Sequence, residues 1–315
     1  MTLSLQRRAL LALPALLPFG SLRAQARPVA VASFSILGDL MREVAGERAE
    51  VRSMVGANVD AHHFNPRPSD AVMLRGAALA AWNGAGFDPW FERLVSSTRF
   101  AGVQVVATRG ILLMEEGADG HGHGHGHGHG HGHGHSHGGL DPHVWQNPRL
   151  AIRMVENILA GMIEADRAAE SHFTSRAEGF IARLRALDAW VREQIATVPE
   201  ARRVVLTSHD AFSYFGEAYG VRFLSPSGVG HGEPSARQVA ALIRQVRQQN
   251  ITAVFMENIS NPATLNRLAA EAGVTVQGRL YSDALSAADG PAATYEAMMR
   301  HNVTLMVRAM GGAAS

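Results

Sequence analysis

Nine histidines occupy every second position from His121 to His137, separated by glycine except for Ser136. Imidazole nitrogen is the commonest protein ligand for zinc and its neighbours, and glycine removes the steric bar to folding back on an ion. Gly-His repeats present no apolar face and lose much entropy on ordering, so no packed core forms from them. The run His121, His123, His125, His127, His129, His131, His133, His135 and His137 is therefore expected to be a flexible auxiliary metal-binding loop within about 115–139. It sits too far inside the chain to be a purification tag, and serine would serve a plain spacer equally well.

Four other segments place a nitrogen or oxygen ligand on a loop or just past a strand-like run. They are Asp60-Ala61-His62-His63-Phe64, Asp141-Pro142-His143-Val144-Trp145, Thr207-Ser208-His209-Asp210 and Tyr281-Ser282-Asp283-Ala284. A lone histidine beside a turn is more often a capping or hydrogen-bonding residue than a ligand. In open α/β sheets, however, ligands collect outside the carboxyl ends of the strands. Two such lobes facing each other bring His62 and His143 against His209 and Asp283. That is a donor set of three nitrogens and one oxygen, which suits four-coordinate zinc. His63 points elsewhere, and His231 lies on a glycine-rich loop as a candidate relay or a plain surface residue. Glu257, Asn258 and Asp141 are candidates to orient or cap rather than to ligate. His172 and His301 fall on helical patterns and are expected to be solvated, while Trp145, Phe212 and Tyr281 are expected to pack around the site.

The elements that must carry these segments alternate short apolar runs with helical patterns, which predicts α/β construction with largely parallel strands. Strands are expected at Val29–Ser33, Val51–Val55, Leu79–Trp82, Val103–Ala107, Val204–Ser208, Val221–Leu224, Ile251–Met256 and Val274–Val276. Helices are expected at Ile36–Ala45, Asp70–Arg75, Pro89–Ser97, Ala211–Ala218, Ser235–Gln249, Pro262–Ala272 and Pro291–Met310. From Pro148 to Thr197 the pattern is almost all helical, with one stripe through Ile152, Val155, Ile158, Leu159 and Ile163 and a second helix marked by Phe173, Phe180, Leu184, Leu187, Trp190, Val191 and Ile195. A helix of about 30 residues is roughly 45 Å long, and its place midway along the chain predicts a rigid connector. The expected organisation is a leader at 1–26, an α/β lobe at 27–166, a connecting helix at 167–198 and a second α/β lobe at 199–315.

Arg7 and Arg8, the apolar stretch Ala9–Leu17 and the Ala24-Gln25-Ala26 junction read as a cleavable export signal. The apolar stretch is far short of the roughly 20 residues that span a bilayer. The flanks of the arginine pair fit a twin-arginine signal poorly, which favours the general secretory route. The chain has no cysteine, hence no disulfide, no thiolate ligand and no lipid-acceptor thiol. A soluble periplasmic protein without a lipid anchor is expected. There is also no lysine, which excludes P-loop and Schiff-base chemistry. Loss of Arg7, Arg8 and Arg23 with the leader leaves 26 basic against 28 acidic residues, so neither nucleic acid nor an anionic membrane is indicated as partner.

At "DAHHFNPRPSD" (60–70), "DPHVWQNP" (141–148), "TSHDAFSYF" (207–215) and "YSDALS" (281–286), the chain resembles the solute-binding proteins of metal ABC transporters, cluster A-I, of the zinc-binding ZnuA and AztC type. The resemblance runs over essentially the whole chain after the leader, and a His-rich or acidic loop before "DPHVW" is a habit of that family. It implies two Rossmann-like lobes joined by one long backbone helix, with His62, His143, His209 and Asp283 as ligands of an ion in the interlobe cleft. Manganese-binding relatives place a carboxylate where this chain has His209, since hard oxygen ligands suit Mn²⁺. The implied function is high-affinity binding of Zn²⁺ and delivery to the membrane permease of an ABC importer, by a monomer, with a periplasmic zinc chaperone as a candidate further partner. The alternatives are a manganese or other divalent-metal binder of the same type, or a periplasmic zinc buffer or metallochaperone. A secreted zinc hydrolase fits poorly, because Asp283 closes the shell that a catalytic zinc leaves open and no HExxH segment occurs.

Overall fold

The computed structural model of the protein describes residues 27–116, 139–229 and 235–313. The expected leader, the nine histidines of the Gly-His run and His231 lie outside the described residues.

The first half is built on four parallel strands, β1 (Val29–Ala32), β2 (Glu50–Ser53), β3 (Leu79–Trp82) and β4 (Val103–Val106), in the order β2-β1-β3-β4. Helices α1 (Ser35–Ala45), α2 (Pro68–Arg75) and α3 (Pro89–Ser97) connect them. The strands β1 and β3 are short apolar runs buried on both faces, as parallel strands covered by helices must be. Small residues on the sheet let helices approach closely. A Cβ added at Gly161 would stand 2.2 Å from Cγ2 of Val105, so glycine lets α4 (Pro148–Ala165) lie on the sheet without displacing that side chain.

Asn147 caps α4 by accepting a hydrogen bond from the Arg149 backbone N–H at 2.9 Å, with Pro148 in the first turn. A 3₁₀ turn at Arg167–Ala169 then leads into α5 (Glu170–Ala196), whose 27 residues extend about 40 Å. The expected connector at 167–198 is thus a turn followed by a slightly shorter helix. Its apolar stripe packs on α1, α4 and the last helix, α9 (Tyr295–Ala309). The main core is continuous from Val31 and Leu37 through Phe180 and Leu187 to Phe212, Tyr281 and Met306. One buried layer therefore backs both halves.

The second half holds β5 (Val204–Leu206), β6 (Arg222–Leu224), β7 (Met256–Glu257) and β8 (Arg279–Leu280), with α6 (Ser213–Tyr219), α7 (Ala236–Gln248) and α8 (Pro262–Ala272). The pairs β5-β6 and β7-β8 are parallel, and a parallel bridge from Leu206 to Val254 joins them. A smaller core of Leu206, Leu242, Val246, Val254, Leu265 and Leu268 lies under α7 and α8.

Three expected elements fall elsewhere. The strand expected at Ile251–Met256 narrows to β7 at Met256–Glu257, with Val254 only bridging to Leu206. Val274–Val276 is not a strand, because Gly273 (φ 77°) ends α8 and the Val274 N–H caps that helix by donating to Ala269 O at 3.0 Å. Ladder pairing with 254–257 passes instead to residues 277–280. The last helix starts at Tyr295 rather than Pro291. Ser286 and Ala292 close a turn on each other, and the Thr294 hydroxyl provides the cap by accepting from Ala297 N. Among the described residues no helix is long and apolar enough to cross a membrane.

Candidate metal centre

Each of the four side chains sits on a loop beyond a strand or just before a helix. His62 follows β2, on the long loop leading to α2, where Asp60 Oδ1 accepts its backbone N–H at 2.8 Å. His143 precedes a 3₁₀ turn at Val144–Gln146 that runs into α4. His209 follows β5 and Asp283 follows β8. Their ligand atoms all lie within 4.8 Å of one another. His62 Nε2 is 3.4 Å from His143 Nε2 and 3.4 Å from Asp283 Oδ2, and His209 Nε2 is 3.2 Å from Asp283 Oδ2. His143 Nε2 stands 3.5 Å from Asp283 Oδ1. A tetrahedron with bonds of 2.0–2.1 Å has edges of about 3.3 Å, and these four separations lie near that value, within a set bounded at 4.8 Å.

His143, His209 and Asp283 are fully buried, and the His62 side chain is 8% exposed. His62 is consequently the one of the four that faces solvent, and its ring rests edge-on against Phe87 with centroids 4.4 Å apart.

Two carboxylates stand behind the imidazoles. Asp141 Oδ1 lies 2.8 Å from His143 Nδ1 and also accepts the His143 backbone N–H at 2.9 Å. Glu257 Oε2 lies 2.5 Å from His209 Nδ1, while its Oε1 accepts the backbone N–H groups of Ser208 and His209. Each contact sets a carboxylate beside Nδ1 while Nε2 stands among the other three side chains. Both residues were expected to orient or cap, and they orient.

The charges follow from this packing. Burial opposes protonation of His143, but Asp283 and Asp141 outweigh it and raise its pKa to about 9. His209 is raised well above the usual histidine value because Glu257 and Asp283 overcome its burial. Asp283, despite burial, is held well below the carboxylate range by His143 and His209. His62 goes the other way, lowered chiefly by burial. Three buried carboxylates around three imidazoles make a site that demands cationic charge, supplied by protons or by a metal ion.

Other expectations resolve differently. His63 is exposed and paired with Asp60 at 3.0 Å, away from the cluster. His172 and His301 are not merely solvated, since their Nε2 atoms contact the carbonyls of Ala45 and Arg279 at 3.1 and 3.0 Å. Trp145 does more than pack. Its indole N–H and the Gln146 amide both donate to Ser282 O, tying the His143 turn to the loop of Asp283. Asn83 Nδ2 donates to Pro142 O and the Tyr214 hydroxyl to Asp141 O. Nothing in sequence spacing marked Gln146, Asn83 or Tyr214, because they act through backbone carbonyls of residues distant in the chain.

Residues 30–309 match the family described as zinc-uptake complex component A, periplasmic. The manganese-binding lipoprotein MntA of Halalkalibacterium halodurans is 32% identical over 88% of this chain and 86% of its own. The iron-binding protein YfeA of Yersinia pestis is 30% identical over 89% of this chain and 86% of its own. The structure of the periplasmic zinc-binding protein TroA from Treponema pallidum superimposes with a TM-score of 0.80 at 25% identity, covering 90% of this chain and 99% of that one. With its parallel α/β halves, its long helix and its buried His₃Asp cluster, the chain belongs to this family, the divalent-metal solute-binding proteins of ABC transporters.

Proposed function

We propose that this chain captures Zn²⁺ with His62, His143, His209 and Asp283 and delivers it to the permease of an ABC importer. The observation that carries this reading is the quartet of three nitrogens and one carboxylate within 4.8 Å, with a further carboxylate against Nδ1 of two of its imidazoles. Three nitrogens and one carboxylate favour zinc over manganese, which prefers oxygen ligands and higher coordination. The ion is cargo. Asp283 occupies the position that a catalytic zinc leaves for water.

The lobes at 27–166 and 199–315 are proposed to hold the ion between them, with 167–198 as a stiff spine. Helix α5 packs along α1, α4 and α9, so loading and release proceed by local movement of ligand loops rather than wide domain swings. The chain is proposed to act in the periplasm as a monomer, and without a cysteine it offers no thiol for a lipid anchor, although relatives such as MntA are named lipoproteins. The histidines at 121–137 are proposed as weaker auxiliary zinc sites that concentrate the ion, alone or with a periplasmic chaperone. Deleting them is expected to abolish weak zinc binding and spare the tight site.

A second reading is manganese, favoured by the identity to MntA. Metal analysis of protein purified without added metal, followed by competition, separates the two. Most nitrogen-containing sites retain zinc against Mn²⁺, so the supporting result is one equivalent of zinc and no manganese in protein purified from medium holding both. Displacement by Mn²⁺ overturns the zinc reading.

A further inference from the structure

The loop that carries His62 is held from two sides. On its own half, Trp90 Nε1 donates to Ala61 O and Asp60 accepts the His62 N–H. On the other half, the backbone N–H of Asn58 donates to Leu285 O at 2.9 Å. The Asn258 side chain adds a second tie. Its Nδ2 donates to Asn58 Oδ1 at 3.1 Å and to Ala284 O at 3.1 Å, while its backbone N–H donates to Leu280 O. Ala284 O accepts only, so the orientation of this amide is not arbitrary.

The positions of these residues matter. Asn258 follows Glu257, which steers His209; Ala284 follows Asp283; and Asn58 lies four residues before His62. A single amide thus joins the segments carrying two of the four proposed ligands, from the position next to the carboxylate that contacts a third. Asn58 adopts φ 54°, a left-handed conformation that asparagine tolerates better than most residues. His62 is also the most exposed of the quartet and the natural first ligand to leave.

We infer that Asn258, acting through Asn58, is a positioning residue that latches the His62 loop to the Asp283 loop and sets the rate at which the bound metal leaves. Breaking the latch frees His62 to swing out while the three buried ligands stay in place. This inference rests on the quartet being the metal site.

The test uses the full chain loaded with one equivalent of Zn²⁺ and follows zinc release into excess chelator by stopped flow, with association measured separately. Asn258→Ala and Asn58→Gly each remove one side of the contact, and glycine keeps the left-handed backbone at 58. Both are expected to speed release roughly three- to tenfold, the value of one partly exposed hydrogen bond, with association unchanged within about twofold. The double variant is expected to release no faster than the faster single. Asn58→Asp, which retains the acceptor oxygen, is expected to release near the wild-type rate. Asn58→Gly changes only an exposed loop, so it serves if Asn258→Ala does not fold. Wild-type release rates in Asn258→Ala and Asn58→Gly, or single effects that multiply in the double variant, overturn the latch. A wild-type chain that binds no zinc overturns the metal reading itself, a distinct result.

Discussion

Glu257 grips His209 twice, with one carboxylate oxygen 2.5 Å from the ring Nδ1 and the other accepting the backbone N–H of His209 at 2.9 Å. Ring orientation and loop position are therefore set by one side chain. Glu257→Gln keeps the shape but replaces the anion, and its amide must put a donor against one of these partners. Zinc affinity is expected to fall about 10- to 100-fold, the usual cost of losing a carboxylate behind a ligating imidazole. Competition against a chelator of known affinity measures it, and an affinity within twofold of wild type refutes the role.

The metal-free and loaded proteins are expected to respond oppositely to pH. His143 has its pKa raised from 6.5 to about 9, so its protonation stabilises the metal-free fold. That contribution is complete below about 6.5 and is lost as pH rises through about 9. Metal binding requires the unprotonated ring, so apparent zinc affinity increases over the same interval. Calorimetry is expected to show the Tm of the metal-free protein falling from pH 6.5 to 9 while the gain on adding zinc widens. A metal-free Tm that climbs across this range contradicts the assignment.

Asp283 is fully buried, and the histidines at 143 and 209 hold it ionised. Asp283→Asn leaves their charge without its shared counter-ion. The metal-free variant is expected to lose about 3–5 kcal/mol at neutral pH, typical of breaking a buried ion pair from one side. Urea unfolding reads this directly, and a loss below about 1 kcal/mol shows that the cluster is not charged as described.

Gly161→Ala probes the scaffold without touching the site. The added methyl meets Val105 at 2.2 Å, and a neighbouring strand side chain must shift. A destabilisation of about 1–3 kcal/mol is expected from overpacking. Zinc affinity is expected to stay within twofold of wild type, since α4 and β4 hold the ligands only indirectly. A neutral Tm places the helix farther from the sheet than the structure has it.

The chemistry of this chain was readable from residue types. Alternating apolar runs announced the parallel α/β halves, and the stripe through Phe173, Phe180 and Leu187 announced the long helix, because burial periodicity is a local property of sequence. Ligand types at His62, His143, His209 and Asp283 were legible for a related reason, as each sits in a short polar segment next to a strand or helix end. Their convergence on one point was not a local property. It depends on how β2, β5 and β8 end relative to one another, which the shared core behind α5 decides. The braces were hidden altogether: Gln146 and Trp145 meet Ser282 across more than 130 residues, and Asn258 meets Asn58 across 200. Contacts of that kind rest on backbone carbonyls and single amides, which leave no pattern in composition or spacing. The sequence alone determined which atoms were available to an ion; tertiary packing determined that they face each other, because only the folded core brings loops so distant in the chain to a few ångströms.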